Sequence, residues 1–509
     1  MASLPPASER EAARNRRLRR IDWRFLLPDP RPGRTICLGA GGLADALRLV
    51  SEQVVEAPDQ GSDFDLGVAV SPSRRRLREL WTALRPGGAC YTDWWLPVRR
   101  VRRRLEAVGF QDVCCYWPGP WPALVPPPFW IPADAAGALR SFLQTQLPGR
   151  ALRLRPTARL GRALWLRALE RRVALPVCAI ARKPGPSAPD PLLANWDSQV
   201  LGPRPARLSR LLLTGGPRSI SKVVALVSAE PEGTPRLAIK MARVPESIAP
   251  LEREATSLRG LDLPGVPRVV FVRRRGPEMQ VAETAVSGRQ LFTLLSARSA
   301  RRLALQATNW SIELARHTVS APGLDWRERL VGSALADFVA FFGAVVSSAD
   351  VGRTAEALDR LPALPSVCEQ RDFSPWNILV DARGDLIVLD WESSEPHGLP
   401  GLDLVYFLTY HCFFLADAIR TGRHLPAYRA SLDPRTPSGQ LVLECQARYA
   451  DALGLDPAVW RPLRLLTWLI HSRSDYRHLW ADTGGPPAPA ALRRSLFLSL
   501  WREELRRWA

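Results

Sequence analysis

The chain has 509 residues, beyond the roughly 250–300 at which a single core stops growing, so two or three domains are expected. Hydrophobic residues at 46% exclude disorder as the dominant state, and the most apolar long stretch, 332–348, carries Asp337 inside it, so no membrane-spanning segment is expected. The formal charge of +20 is lopsided: residues 1–185 hold 31 Lys and Arg against 16 Asp and Glu, while residues 186–509 contribute only +5.

The first twenty residues are basic with no apolar run behind them and do not read as a signal peptide. TICLGAGG at 35–42 reads as a strand running into a glycine turn, followed by helical spacing in LADALRLV. QVVEAP at 53–58 and FDLGVAV at 64–70 are strand candidates, and RRRLRELWTAL at 74–84 is an amphipathic helix. LRPGGACYTDWW at 84–95 turns into a strand, VRRVRRRLEAVGF at 98–110 is a basic helix, and DVCCYW at 112–117 is a further strand. Strands alternating with helices predict a parallel sheet with crossover helices.

With Gly39-Ala40-Gly41-Gly42 after the first strand, DFDLGVAV, LRPGG and a helix ending in AVGF, residues ~20–185 resemble a class I S-adenosylmethionine-dependent methyltransferase, a Rossmann-like α/β fold. The resemblance implies an S-adenosylmethionine site at Gly39 and Gly41, with Glu56 as the acid toward the ribose. Cys37 stands where the family has an acid, and 58–63 is too brief for the usual third strand and its helix. A degenerate domain kept for scaffolding or partner binding is therefore expected.

The Trp/Pro-rich segment 116–130 reads as a packed aromatic loop, with helices expected at 135–146 and 158–170. The basic helices at 98–104 and 150–172 could meet an anionic surface or polymer, but no motif of a known nucleic-acid module occurs. ALPVCAIARK closes this part as a buried strand. PGPSAPDPL at 184–192 is the best linker, which gives domains at 1–185 and 195–509 with 186–194 between them. None of the eight cysteines forms a CxxC pair, so buried thiols in a reducing cytoplasm are expected.

In the second part, LLLTGGPRSISKVVALV at 211–227 reads as two strands around a turn, and PRLAIKMAR at 235–243 as a strand carrying Lys240. A lysine inside a sheet needs an anionic partner. Lys240 is one of only three lysines among 70 basic residues, and arginine does not replace a lysine acting as a compact phosphate contact. IAPLEREATSLRGL at 248–261 is helical, and MQVAETAVSG at 279–288 is another strand. CEQRDFSPWNILVDARGDLIVLDW at 368–391 then sets Asp372 on a loop, Asn377 just before one short strand and Asp390 at the end of a second, joined by a hairpin turn. A carboxylate able to take a hydroxyl proton, next to oxygen ligands for a divalent cation, is the division of labour that phosphoryl transfer needs.

This set resembles the aminoglycoside phosphotransferase (choline/aminoglycoside kinase) family, with its α+β protein-kinase-like fold and largely helical C-lobe. The resemblance implies an N-lobe at 195–288 and a C-lobe at 289–509. It implies Asp372 as catalytic base, Asn377 and Asp390 as magnesium ligands, and Lys240 as a phosphate contact steadied by Glu254. Gly215, Gly216, Ser219 and Ser221 would cover the phosphates of ATP, and the backbone near Glu283 and Ala285 would meet the adenine. Asp403 would support the loop or lie on the substrate side. Gln370 replaces the family's loop histidine and could brace the loop through both ends of its amide. The helices after Asp403 would surround the acceptor, a small-molecule hydroxyl on a sugar, amino alcohol or cell-surface precursor; His411 and 475–480 could line that pocket, but core and surface roles are expected for them. The leading expectation is a cytoplasmic, ATP- and magnesium-dependent phosphotransferase. A non-catalytic pseudokinase scaffold binding an anionic partner and a bifunctional methyltransferase–kinase are the alternatives.

Overall fold

The computed structural model describes residues 14, 16–39, 41–57, 62–119, 127–135, 137–138, 176–186, 192, 196–215, 222–230, 232–276, 278–483 and 485–508. The chain forms two compact units: Glu11–Leu251 with Arg268–Val286, and Glu252–Pro267 with Ser287–Ala509. This division does not follow the 186–194 linker, because the strands after the linker stay with those before it. The helices expected at 135–146 and 158–170 fall almost wholly outside the described residues.

The first unit is built on one twelve-stranded sheet. Its strands are β1 (Arg34–Leu38), β2 (Gln53–Val55), β3 (Phe64–Val70), β4 (Leu84–Trp95), β5 (Gln111–Gly119), β6 (Phe129–Pro132), β7 (Pro176–Arg182), β8 (Leu208–Leu213), β9 (Lys222–Ala229), β10 (Pro235–Ala242), β11 (Val269–Arg275) and β12 (Glu278–Thr284). Their order is β11-β12-β10-β9-β8-β6-β5-β7-β4-β3-β1-β2. β2, β1, β3 and β4 run parallel, as the alternating pattern predicts. β7 then enters antiparallel between β4 and β5, and every later pairing is antiparallel. The sheet is therefore mixed, where strand–helix alternation alone predicts a wholly parallel one.

Burial explains the strand signals. Gly88–Trp94 of β4 and Val177–Ala181 of β7 lie inside the sheet with both faces covered. The helix Arg74–Ala83 starts at Ser73, whose side chain accepts the Arg76 N–H, and buries Leu77, Leu80 and Ala83. One apolar cluster joins Trp23, Tyr91 and Trp130 to Leu212, Val227, Ile239 and Ala282, so the two halves of the sheet share a core.

The second unit is mainly helical. Its long helices are Ala300–Thr318, Ser333–Phe342, Ser348–Asp359, Leu402–Leu415, Pro437–Leu453, Trp460–Thr483 and Leu496–Arg506. Among them lie short strands: β13 (Arg289–Gln290), β14 (Val367–Glu369), β15 (Ile378–Val380), β16 (Leu386–Val388) and β17 (Glu395–Gly398). β15 and β16 form the expected hairpin, flanked by β13, while β14 pairs with β17. Leu402–Phe413 is buried on every side, so this helix is a core rod without an amphipathic period. Among the described residues no helix is long and apolar enough to cross a membrane.

Candidate active site

The hairpin fixes the loop that precedes it. At its tip, the Asp381 carboxylate accepts the backbone N–H groups of Arg383 and Asp385, and Gly384 turns with φ +95°. At its base, the Leu389 N–H donates to the Asn377 carbonyl at 2.9 Å, so Asn377 and Asp390 leave the two strands side by side. The Asn377 amide donates to the Asp372 carboxylate at 2.7 Å and to its backbone carbonyl at 3.1 Å. The amide nitrogen is thereby turned toward Asp372, which leaves Oδ1 as an acceptor. The Tyr406 hydroxyl also bonds Asp372.

Gln370 braces this loop from both ends of its amide. Its Oε1 accepts the Asp372 N–H at 2.8 Å, and its Nε2 donates to the carbonyls of Leu389 at 2.9 Å and Asp390 at 2.6 Å. Asp403, on the first turn of Leu402–Leu415, accepts the N–H groups of Gln370 at 2.6 Å and Arg371 at 2.9 Å. Burial, and then the nearby Glu369 carboxylate, push the Asp403 carboxyl up to about 7. Glu369 itself holds the Arg371 guanidinium at 3.1 Å and the Leu399 N–H at 2.6 Å. A Cβ at Gly398 would lie 1.9 Å from its Oε1, so only glycine fits there. Arg371 and Asp390 both carry φ above +60°, a strained conformation for non-glycine residues.

Glu254 is fully buried and accepts the Trp391 N–H at 2.9 Å. This places its carboxylate with those of Asp390 and Glu392, all three ligand atoms lying within 4.8 Å of one another. Hard oxygen donors so close together suit a divalent cation. The sequence pattern pairs Asn377 with Asp390 for the metal and gives no role to Glu392.

In the other unit, Lys240 on β10 pairs with Glu283 on β12 at 3.0 Å, both side chains almost fully buried. From sequence, Glu283 has only a backbone role, because the register that brings it beside Lys240 is set by β10–β12 pairing. The Ala285 N–H donates to the Arg236 carbonyl at 2.9 Å. Gly215 has φ +74° and its carbonyl accepts from Arg19; Gly216, Ser219 and Ser221 lie outside the described residues. The sequence does not single out Tyr406, since a helix apolar on all sides gives no periodic signal. Tyr406 stacks on His471 at 3.8 Å, and Tyr410 stands edge-on to Trp376. His411, for which a core or surface role is expected, is fully buried.

A second cleft, of ≈ 420 Å³, lies outside the carboxyl ends of β1 and β3, where the chain connections change direction. Leu38, Gly39, Glu56, Ser73, Arg76 and Glu79 are among its walls. A Cβ on Gly39 would meet the Arg76 guanidinium at 2.7 Å, and Glu56 is ion-paired with Arg48.

No family model matches the sequence, and no curated protein matches it. Among solved structures, the chain is similar to a thermostable mutant of aminoglycoside phosphotransferase APH(4)-Ia in its apo form, at 14% identity over 60% of this chain and 95% of that one, TM-score 0.36. It is similar to macrolide 2'-phosphotransferase MphH from Brachybacterium faecium at 19% identity, over 60% and 99%, TM-score 0.32. It is also similar to the bifunctional kinase-methyltransferase WbdD at 11% identity, over 93% and 98%, TM-score 0.27.

Proposed function

We propose that the chain is an ATP- and magnesium-dependent phosphotransferase whose acceptor is a hydroxyl on a small molecule, with residues 195–509 carrying the catalytic groups and residues 1–185 an accessory methyltransferase-like segment. The observation that carries this reading is the loop 370–377. There a carboxylate is held by an amide at 2.7 Å and a tyrosine hydroxyl, while one glutamine ties it to the backbone of Asp390.

Asp372 would take the proton of the acceptor hydroxyl as the oxygen attacks phosphorus. The Asn377 amide and the Tyr406 hydroxyl fix the direction in which its remaining lone pairs point. Asp390 and the Asn377 Oδ1 would hold magnesium, with Glu392 beside them; the ion, when bound, neutralises phosphate charge. Glu283 is the ion-pair partner of Lys240 within the sheet, and the ammonium would be the contact for a phosphate oxygen. Seven buried free thiols support a reducing, cytoplasmic setting.

Two features of the cleft at β1 and β3 count against S-adenosylmethionine: the exposed Arg76 guanidinium beside Gly39 would set a positive charge near a cationic sulfonium, and the exposed Glu56 carboxylate is ion-paired with Arg48. The accessory segment is therefore read as non-catalytic. Calorimetry with magnesium-ATP and, separately, S-adenosylmethionine tests both halves. ATP alone should bind; binding of neither would favour a pseudokinase scaffold, and binding of both a bifunctional enzyme.

A further inference from the structure

The helix Val98–Glu106 buries Val101 and Leu105 in the same apolar cluster that takes Leu77, Leu80 and Ala83 from the helix Arg74–Ala83. The two helices therefore cover one face of the sheet. Their ends lie close together: a Cβ at Gly109, just past the second helix, would stand 3.2 Å from the Trp81 indole nitrogen on the first. The sides turned away from the sheet are basic. Arg74, Arg78, Arg99, Arg100, Arg103 and Arg104 are all exposed, and none forms an ion pair among the described residues. The nearby acids belong to other arginines, Glu79 to Arg75, and Glu106 and Asp134 to Arg102. The rest of this part of the chain does not balance the charge, since residues 136–175 hold nine arginines and one acid, Glu170.

This pattern works against the helices that carry it. Arg74 and Arg78, Arg99 and Arg103, and Arg100 and Arg104 are like charges one turn apart, which destabilise a helix. Neither helix has an acid in its first turn, where arginines face the positive end of the dipole. An anionic surface laid over these arginines removes both penalties. Just ahead of the second helix, Trp95 ends β4 and is 53% exposed. An indole displayed beside a basic helix suits the headgroup layer of a bilayer. We propose that this face docks on an anionic membrane surface, with the arginines on acidic phospholipid headgroups and Trp95 seated among them. Guanidinium forks match phosphate oxygens in pairs, while Val101 and Leu105 stay in the core, so the attachment is peripheral. A bilayer fits better than a nucleic acid, because among the described residues no exposed aromatic ring stands between the arginines to stack a base. The face belongs to the first unit, and the proposal does not rest on the phosphotransferase reading.

The test is cosedimentation of the full chain with vesicles of phosphatidylcholine alone and of phosphatidylcholine with about one-third phosphatidylglycerol. Binding to the anionic vesicles only is expected, falling as sodium chloride rises from about 0.1 to 1 M and the screening length shrinks. Arg99→Gln with Arg103→Gln should lower the partition coefficient about 30-fold, roughly fivefold for each arginine. Arg99→Lys with Arg103→Lys keeps the charge and should hold the coefficient within about threefold of wild type. Trp95→Ala should weaken binding and leave its salt dependence unchanged. Circular dichroism checks that each variant folds, and the salt titration of the wild-type chain keeps the test valid should one fail to. Absence of binding to the anionic vesicles, equal binding to the neutral ones, or a glutamine pair that binds as wild type would each overturn the proposal. Tighter binding to a duplex DNA oligonucleotide than to the anionic vesicles, at about 0.15 M salt, would overturn it in favour of a nucleic-acid partner.

Discussion

At the residue scale, Asp372→Asn should leave nucleotide affinity nearly unchanged and lower turnover by about 10²–10⁴-fold, the usual worth of a positioned base. Single-turnover transfer at the wild-type rate would refute its role. Gln370→Ala removes three hydrogen bonds that join the two arms of the loop. It should lower kcat more than it changes KM for ATP, and cost about 1–3 kcal/mol of stability in urea titrations. Much of this loop is legible in the sequence, because Gln370, Asp372, Asn377 and Asp390 are joined by contacts that span at most about twenty residues of chain. Glu392 as a companion of Asp390, and Glu283 as the partner of Lys240, are not legible. Both depend on helix placement or strand register that no local pattern encodes.

At the element scale, the rod Leu402–Leu415 ties the loop to the core through Asp403 at one end and Tyr406 one turn later. Its periodicity is lost because every face is covered, so sequence patterning finds the helix but not its functional side. The rod also carries a titration penalty. Burial holds His411 down at about 4, against an unfolded value near 6.5. The native state keeps this imidazole neutral, so the stability it contributes is complete above pH 6.5 and is lost as pH falls toward 4. The loss amounts to about 3 kcal/mol, the free energy of protonation that separates the two states of the imidazole. His411→Leu should flatten the acid limb of a pH–stability curve measured by urea unfolding. A difference between variant and wild type that stays constant from pH 7 to 4 would contradict this. Asp403 and Glu369, both raised by burial, titrate with the opposite sign, which is why the comparison must be made between variants.

At the scale of the whole molecule, the proline-rich linker is plain in the sequence, yet it does not mark where contacts divide. β6 pairs with β8 through Phe129–Leu213 and Trp130–Leu212, and Asp22 is buried against Arg243. Sequence patterns miss this, because strand pairing across 80 residues leaves no periodic trace. Asp22→Asn should lower unfolding free energy by about 3–5 kcal/mol, the cost of orphaning a buried ion-pair partner. Residues 195–509 expressed alone should aggregate, because they expose the β8 edge and half of a shared core. Recovery of a monomeric, ATP-binding 195–509 fragment would show that the sheet junction is dispensable. The continuous sheet has a practical corollary. A protease nick within 186–194 should leave the two pieces travelling together through size exclusion, and the pieces produced from separate genes should reconstitute one another. The two parts of the chain would then be complementing halves of one sheet, divisible as covalent chain yet travelling as one particle.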